Sequence, residues 1–311
     1  MQAVGVRERR HGRPARPSER PDTSAPVEGA FTTSTGQAAW VPEHDGSWTL
    51  YVNGVPSSPV RVGDPAALDF EYLQWMADAI ALVLPPPGDG PPGRSAGSAG
   101  APLRAVHLGG GACALPRHLS AVRRQTGQPV RQVVVELDAE LATRVREWVD
   151  LPRSPELRIQ TGDARAGLAA RRDASADLVV RDVFAGDCTP RHVSTREFLL
   201  DVDRVLVPDG LYLANTVERT SPVGLKAEIA TLRSVFGHTA AAIEPGVLRG
   251  RRHGNAVLLA SRSPLPVAAL ARVLGAGAAP ARLLHGEALE DYAAGAHVIL
   301  DPVPAEPAPT A

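Results

Sequence analysis

Hydrophobic and polar positions change their rhythm several times along the chain. Residues 1–45 are rich in Arg, Pro, Ser and Thr without periodicity, which predicts a disordered N-terminal segment. In 46–84, "WTLYV" and "SPVRV" flank Asn53-Gly54, the signal of a β-hairpin. The following "DPAALDFEYLQWMADAIALVL" places Leu68, Tyr72, Trp75, Met76, Ala79 and Val83 on one side of a helix, with Asp64-Pro65 as its start. The Pro/Gly-rich stretch 85–102 cannot be an element interior and predicts a surface loop. From 103 to 263 strand-like runs alternate with helix-like ones: "RAVHL", "VRQVVVEL", "LRIQ", "ADLVVRD" and "GLYLANT" are strands, each followed by a helical stretch, with "TAAAIEP" and "NAVLLAS" closing the series. Pro208-Asp209-Gly210 predicts a turn before "GLYLANT". Residues 264–311 predict two short helices and a Pro-rich, partly disordered C-terminal extension.

This alternation predicts an α/β fold: a Rossmann-like, mostly parallel sheet with helices on both faces, preceded by a small N-terminal β-hairpin. Ligands of such sheets sit at the carboxyl ends of the strands, near the point where strand order reverses. The first strand runs into Gly109-Gly110-Gly111, a glycine turn that doubles as a weak nucleotide fingerprint with Ala114. The second ends at Glu136, with Asp138 two residues on. Either carboxylate can take ribose hydroxyls, Glu136 being the better placed and Asp138 equally a helix N-cap. The third ends at Gly162, Asp163 and Ala164, where Asp163 caps a helix or receives an adenine amino group. The fourth ends at Asp182 and Val183, with Phe184 as a wall of the site and Asp187 further along the loop. Four strand ends in succession carry what a nucleoside site needs, which favours an adenosine-type ligand.

Taken together, "HLGGGACALPRHL", "VVVELDAEL", "TGDA", "DLVVRDVF" and "VPDGLYLAN" resemble the S-adenosylmethionine-dependent methyltransferase fold, and more closely its spermidine synthase (polyamine aminopropyltransferase) branch. The hairpin and the helix with Tyr72 are similar to that family's N-terminal part, and the likeness covers roughly residues 48–262. The resemblance implies S-adenosylmethionine or its decarboxylated form as co-substrate, a small-molecule amine as acceptor, and a homodimer or larger assembly. It implies that Gly109, Gly110 and Gly111 pass the sulfonium side of the nucleoside, that Glu136 holds the ribose and Asp163 the adenine, and that Asp182 positions and deprotonates the amine. Tyr72, Phe184 and Asp187 are the implied acceptor contacts. The chain departs from the family where a polyamine would be met. Ala112 replaces the loop aspartate, Ala185 the second carboxylate of the Asp-x-x-Asp motif, Ser57 a glutamine after the hairpin, and Tyr72-Leu73-Gln74 a Tyr-His-Glu. A polyamine site so eroded implies weak or absent turnover of putrescine, since a buried ammonium without a carboxylate partner is unfavourable by several kcal/mol.

Composition narrows the alternatives. The net charge is −1, which gives no electrostatic case for nucleic acid or an anionic membrane. No apolar run approaches the roughly 18 residues of a membrane helix. The basic N-terminus lacks a secretory core, and Cys113 and Cys188 form no CxxC, so a cytoplasmic protein with reduced thiols is expected. Lys226 is the sole lysine, and Pro222 four residues before it excludes the Tyr-x-x-x-Lys pair of a nicotinamide dehydrogenase. His107, in the first strand, reads as core, and His192, His238 and His253 lack metal-ligand spacing, so no metal is expected. "RGRRHG" (Arg249 to Gly254) reads first as a solvated basic turn. Three functions stay open: aminopropyl-type transfer, methyl transfer to a small molecule, and a nucleoside-binding member without turnover.

Overall fold

The structure is a computed structural model that describes residues 28–86, 101–186, 188–218 and 223–303. It begins with an antiparallel meander of β1 (Gly29–Thr33), β2 (Gly36–Pro42), β3 (Trp48–Val52) and β4 (Val55–Val60). Asn53 and Gly54 turn β3 into β4 with φ of 51° and 78°, the two positive values that a right-twisted two-residue hairpin requires. Helix α1 (Glu71–Val83) follows and buries Tyr72, Leu73, Trp75, Met76, Ala79, Ile80 and Val83.

The large sheet is built from β5 (Leu103–Leu108), β6 (Val130–Glu136), β7 (Leu157–Thr161), β8 (Ala176–Arg181), β9 (Leu206–Glu218), β10 (His238–Ile243), β11 (Gly254–Ser261) and β12 (Arg282–His285). Their order is β12-β10-β11-β9-β8-β5-β6-β7. Strands β5 to β9 run parallel, and β11 and β12 are antiparallel to their neighbours. Strand order reverses between β5 and β8, so the crevice opens where Gly109 and Asp182 leave the sheet. The connecting helices are α2 (Ala114–Gln125), α3 (Ala139–Trp148), α4 (Ala164–Ala169), α5 (Arg196–Val205), α6 (Val223–Arg233), α7 (Pro245–Leu248), α8 (Val267–Ala276) and α9 (Gly286–Ala293). One sheet face packs with α1, α2 and α8 around Leu103, Ala105, Leu178 and Val180. The other packs with α4, α5, α6 and α9 around Val106, Leu108, Val179 and Phe198. Consecutive residues of β5 and β8 thus feed opposite cores, which is why these strands read as unbroken apolar runs.

Several expectations are corrected here. Residues 29–42, expected to be disordered, form β1 and β2. Their burial comes from a distance: Trp40 and Phe31 pack edge-on against Trp148 of α3, at 5.8 and 4.7 Å between ring centres. The turn between these strands hangs on Asp138. Its carboxylate accepts the Ser34 N–H (3.1 Å), the Thr35 N–H (2.8 Å) and the Thr35 hydroxyl (2.6 Å) while capping α3 through the Leu141 N–H (2.8 Å). The small N-terminal unit is therefore a four-stranded sheet rather than a lone hairpin. Asp64-Pro65 makes a turn ahead of α1, whose N-cap is Phe70. The expected turn at Pro208–Gly210 is a bulge inside β9, absorbed where Ala176 pairs with Leu206 and Leu178 with Leu211. The C-terminal extension holds the two expected helices, α8 and α9, and adds β12 to the sheet edge through pairing with β10. Most of the expected 85–102 loop and the last residues of the Pro-rich tail lie outside the described residues.

Burial raises the Asp138 carboxyl, but the Leu141 N–H and the hydroxyls and N–H groups of the β1–β2 turn outweigh it and hold the group far below the ordinary aspartate range. A carboxyl with a lower pKa folded than unfolded binds fewer protons in the fold on acidification. Its contribution is present above about pH 4 and fades below that. Asp138→Asn should lower stability at pH 7 by about 2 kcal/mol. The difference from the parent should shrink toward pH 3, as read from urea midpoints along a pH series.

Candidate functional site

Three strands deliver their ends to one row. The Gly109 N–H donates to the Val135 carbonyl, the Asp182 N–H to the Leu108 carbonyl and the Gly162 N–H to the Glu136 carbonyl, at 2.8 to 2.9 Å. Gly109 has φ +87°, and a Cβ there would overlap the Asp182 carbonyl oxygen, so the two strand ends can approach only with glycine. The loop then turns its N–H groups on Glu136. Gly110 and Gly111 donate to Oε2 at 2.8 and 3.2 Å, and Asp138 N–H donates to Oε1 at 3.0 Å. A side chain at Gly110 would press on Val134 and on that carboxylate. Glu136 is thereby fixed, half-buried, with lone pairs left on both oxygens.

Asp182 is the centre of the crevice. Its Oδ2 accepts the Tyr72 hydroxyl at 3.0 Å and its Oδ1 accepts the Asn215 amide at 2.9 Å. Burial pushes its carboxyl up from the ordinary value, and Asn215, Tyr72 and the neighbouring Arg181 each pull it part of the way back. The Tyr72 phenol is raised by burial and by the carboxylate it faces, so it stays protonated and remains a donor. Asn215 is held in turn from behind. The buried Arg181 guanidinium donates to the Asn215 carbonyl (2.9 Å) and pairs with Glu228 of α6 at 2.7 Å, while the Thr216 hydroxyl donates to Glu228.

The site thus brings together Gly109, Gly110, Gly111, Glu136, Asp182, Val183 and Tyr72. Val183 packs on the core beside Gly109. Gly162, Asp163 and Ala164 stand one strand further out. There Asp163 caps α4 through the Ala166 N–H (2.9 Å) and holds the His192 ring at 2.9 Å, and Ala164 is buried in the core. Phe184 is half-buried on the loop after β8, and Asp187 lies outside the described residues. Asp138, expected as a cofactor contact, is corrected: its carboxylate is filled by the α3 cap and the β1–β2 turn. Ser57, expected toward the acceptor, bonds to the Val55 carbonyl, and it is Ser58 that lies against Gly111. The basic turn is exposed, with Arg252 paired to Glu244 at 2.5 Å. Among the described residues no group of three or more His, Cys, Asp or Glu is arranged to hold a metal, and no helix is long and apolar enough to cross a membrane.

No protein-family model matches the chain. A probable spermidine synthase of known structure from Corynebacterium glutamicum superimposes with a TM-score of 0.80 at 35% identity, over 92% of this chain and 100% of that one. The chain belongs to the spermidine synthase-like family. The polyamine aminopropyltransferase of Vibrio vulnificus is 30% identical over 167 residues, 53% of this chain and 52% of the relative, so the match spans about half of that protein's length. The spermidine synthase of Thermotoga maritima shares the fold alone, at 15% identity and a TM-score of 0.57, over 86% of this chain and 83% of that one.

Family membership gives the departures structural weight. Ala112, where the resemblance leads one to expect an aspartate, is fully buried with Cys113, Trp40 and Leu50 in the core under the N-terminal sheet. Its side chain belongs to packing. Asn215 was not singled out by the sequence. Its only sequence signal is an amide directly after the run Leu211–Ala214, and its value depends on β9 lying beside β8.

Removing a donor that stabilises the ionised form must raise the Asp182 carboxyl further. Tyr72→Phe and Asn215→Leu should each move the carboxylate-to-carboxyl transition seen by infrared titration to higher pH. The Asp182→Asn spectrum identifies the band.

Proposed function

We propose that this chain transfers an aminopropyl group from decarboxylated S-adenosylmethionine to an amine acceptor. The observation that carries this reading is the Asp182 carboxylate at the switch point, held at both oxygens by Tyr72 and Asn215 next to the glycine loop. The bound donor supplies a carbon made electrophilic by its neighbouring sulfonium. The residues fit such a donor. Glu136, anchored by three N–H groups, offers acceptor lone pairs for the ribose hydroxyls, and the side-chain-free Gly109–Gly111 loop leaves room for a close approach. In this reading Asp163, at the next strand end, would receive the adenine amino group.

Asp182 has the attributes the acceptor step needs. Its bonds to Tyr72 and Asn215 fix its direction, and its remaining lone pairs accept from an amine N–H. A carboxyl raised by burial is a stronger proton acceptor than an exposed aspartate. Orientation is the larger contribution, because an amine held in line with the breaking carbon–sulfur bond reacts as part of a unimolecular step.

The acceptor side supports an amine other than an ordinary diamine. Ala112 is core, and Ala185 stands in the loop where a second carboxylate would meet a second ammonium. Putrescine should therefore be turned over far more slowly than by an ordinary spermidine synthase. The test is release of 5′-methylthioadenosine from decarboxylated S-adenosylmethionine in a pool of amines. The wild type should release it, and Asp182→Asn should lower kcat by about 100-fold or more. Efficient putrescine turnover would overturn the acceptor reading. S-adenosylhomocysteine formed from S-adenosylmethionine would move the chain to methyl transfer.

A further inference from the structure

The basic turn Arg249, Gly250, Arg251, Arg252 and His253 has no part in the reaction as described, yet register places it at the crevice end of the sheet. Strand β9 runs parallel to β8 and continues past Asn215 to Glu218, beyond the carboxyl end of β8. Strand β11 lies antiparallel beside it, with Val257 opposite Asn215 and Gly254 opposite Glu218. The turn therefore enters β11 three residues, or about 10 Å along the strand, above the level of Asn215.

The shape of the turn is fixed. The Gly250 N–H donates to the Val247 carbonyl (2.8 Å) and the Arg251 N–H to the Gly246 carbonyl (2.9 Å), with Gly250 at φ +63°. This pair of bonds closes a helix end through a left-handed glycine. Arg252 packs against Gly246 and pairs with Glu244. Glu244 holds the Arg252 guanidinium up, and the Glu71 carboxylate adds to this, which brings the turn near the start of α1, where Tyr72 follows. Arg249, Arg251 and His253 are exposed, and among the described residues none of them pairs with a carboxylate.

Charge around the crevice is thus uneven. Asp182 is taken by Tyr72, Asn215 and the reacting amine. Arg252 answers both Glu244 and Glu71. Ala185 leaves a diamine without a second carboxylate. What the rim has left over is the two guanidiniums of Arg249 and Arg251, which repel a second ammonium and attract an anion.

We infer that the acceptor is an amine that also carries an anionic group, with its nitrogen at Asp182 and its anion toward Arg249 and Arg251. This rests on the proposed function and names its acceptor class. In the transfer the amine nitrogen bonds to the propyl carbon next to sulfur. The carbon–sulfur electron pair leaves with 5′-methylthioadenosine, and the proton released from nitrogen passes to Asp182. The anionic group takes no part in the bond changes and serves recognition.

Amines that differ only at the far end of a short chain test this: 4-aminobutyrate, 3-aminopropylphosphonate, butylamine and putrescine. Release of 5′-methylthioadenosine from decarboxylated S-adenosylmethionine should show kcat/KM at least about threefold higher with one of the two anionic amines than with butylamine, and lowest with putrescine. The advantage should shrink as salt is raised, because the rim is solvated. Calorimetric titration of the same amines into the 5′-methylthioadenosine complex should give the same order without turnover. The double variant Arg249→Gln/Arg251→Gln should raise KM for the favoured anionic amine at least about threefold more than for butylamine. Butylamine or putrescine matching both anionic amines would overturn the inference, as would an anion preference that the double variant keeps in full. No release with any amine, the wider pool included, would instead refute the proposed function, and the inference with it.

Discussion

Everything in the crevice depends on the two hydrogen bonds that hold the Asp182 carboxylate. They come from elements far apart in sequence: Tyr72 from α1 and Asn215 from β9. Each donor is placed by its own support. Tyr72 sits on a helix whose apolar stripe is buried against the sheet, and Asn215 is tied by its carbonyl to the Arg181–Glu228 pair. A buried charge pair is costly to break on one side, so Arg181 and Glu228 make a stiff backing for the carboxylate in front of them. The arrangement is built into β8 itself. Arg181 and Asp182 are consecutive and point to opposite faces, one into the backing and one into the crevice.

The glycine-loop side of the crevice is organised by a different device. A glycine loop with no side chains curls its N–H groups onto Glu136, and Asp138 adds a third. Asp138 also joins the N-terminal sheet to α3. The small sheet is thus coupled to the Glu136 carboxylate within three residues of chain. It also carries Ser58 to the far side of the glycine loop. This explains why a four-stranded sheet outside the main fold matters for the site: it supplies one wall of it.

Much of this was legible in the sequence. The apolar runs of β5, β6 and β8, the helical stripe of α1 and the Asn53-Gly54 hairpin are local signals, and each element formed where its pattern lies. The strand ends Gly109–Gly111, Glu136 and Asp182 meet because parallel strands bring their carboxyl ends to one side. What was not legible depends on contacts between distant segments. β1 and β2 are short strands whose Phe31 and Trp40 find cover only because Trp148 and Asp138 receive them. Asp138 looked like a ligand contact because a carboxylate at a strand end is equally good at binding a ribose and at capping a helix. Only the positions of Ser34 and Thr35 decide between the two. Asn215 and Ser58 are unremarkable as letters and acquire meaning from the strands beside them.

The central claim is that the carbon attacked here belongs to the aminopropyl arm rather than to the methyl group on the same sulfonium. Decarboxylated S-adenosylmethionine labelled with carbon-13 separately in its propyl chain and in its S-methyl group puts that claim to the most direct test. After incubation with the protein and an amine pool, mass spectrometry of the amines shows which label has moved. Propyl label in the modified amine, with the methyl label retained in the released nucleoside, is the predicted result. Methyl label in the amine would contradict the account.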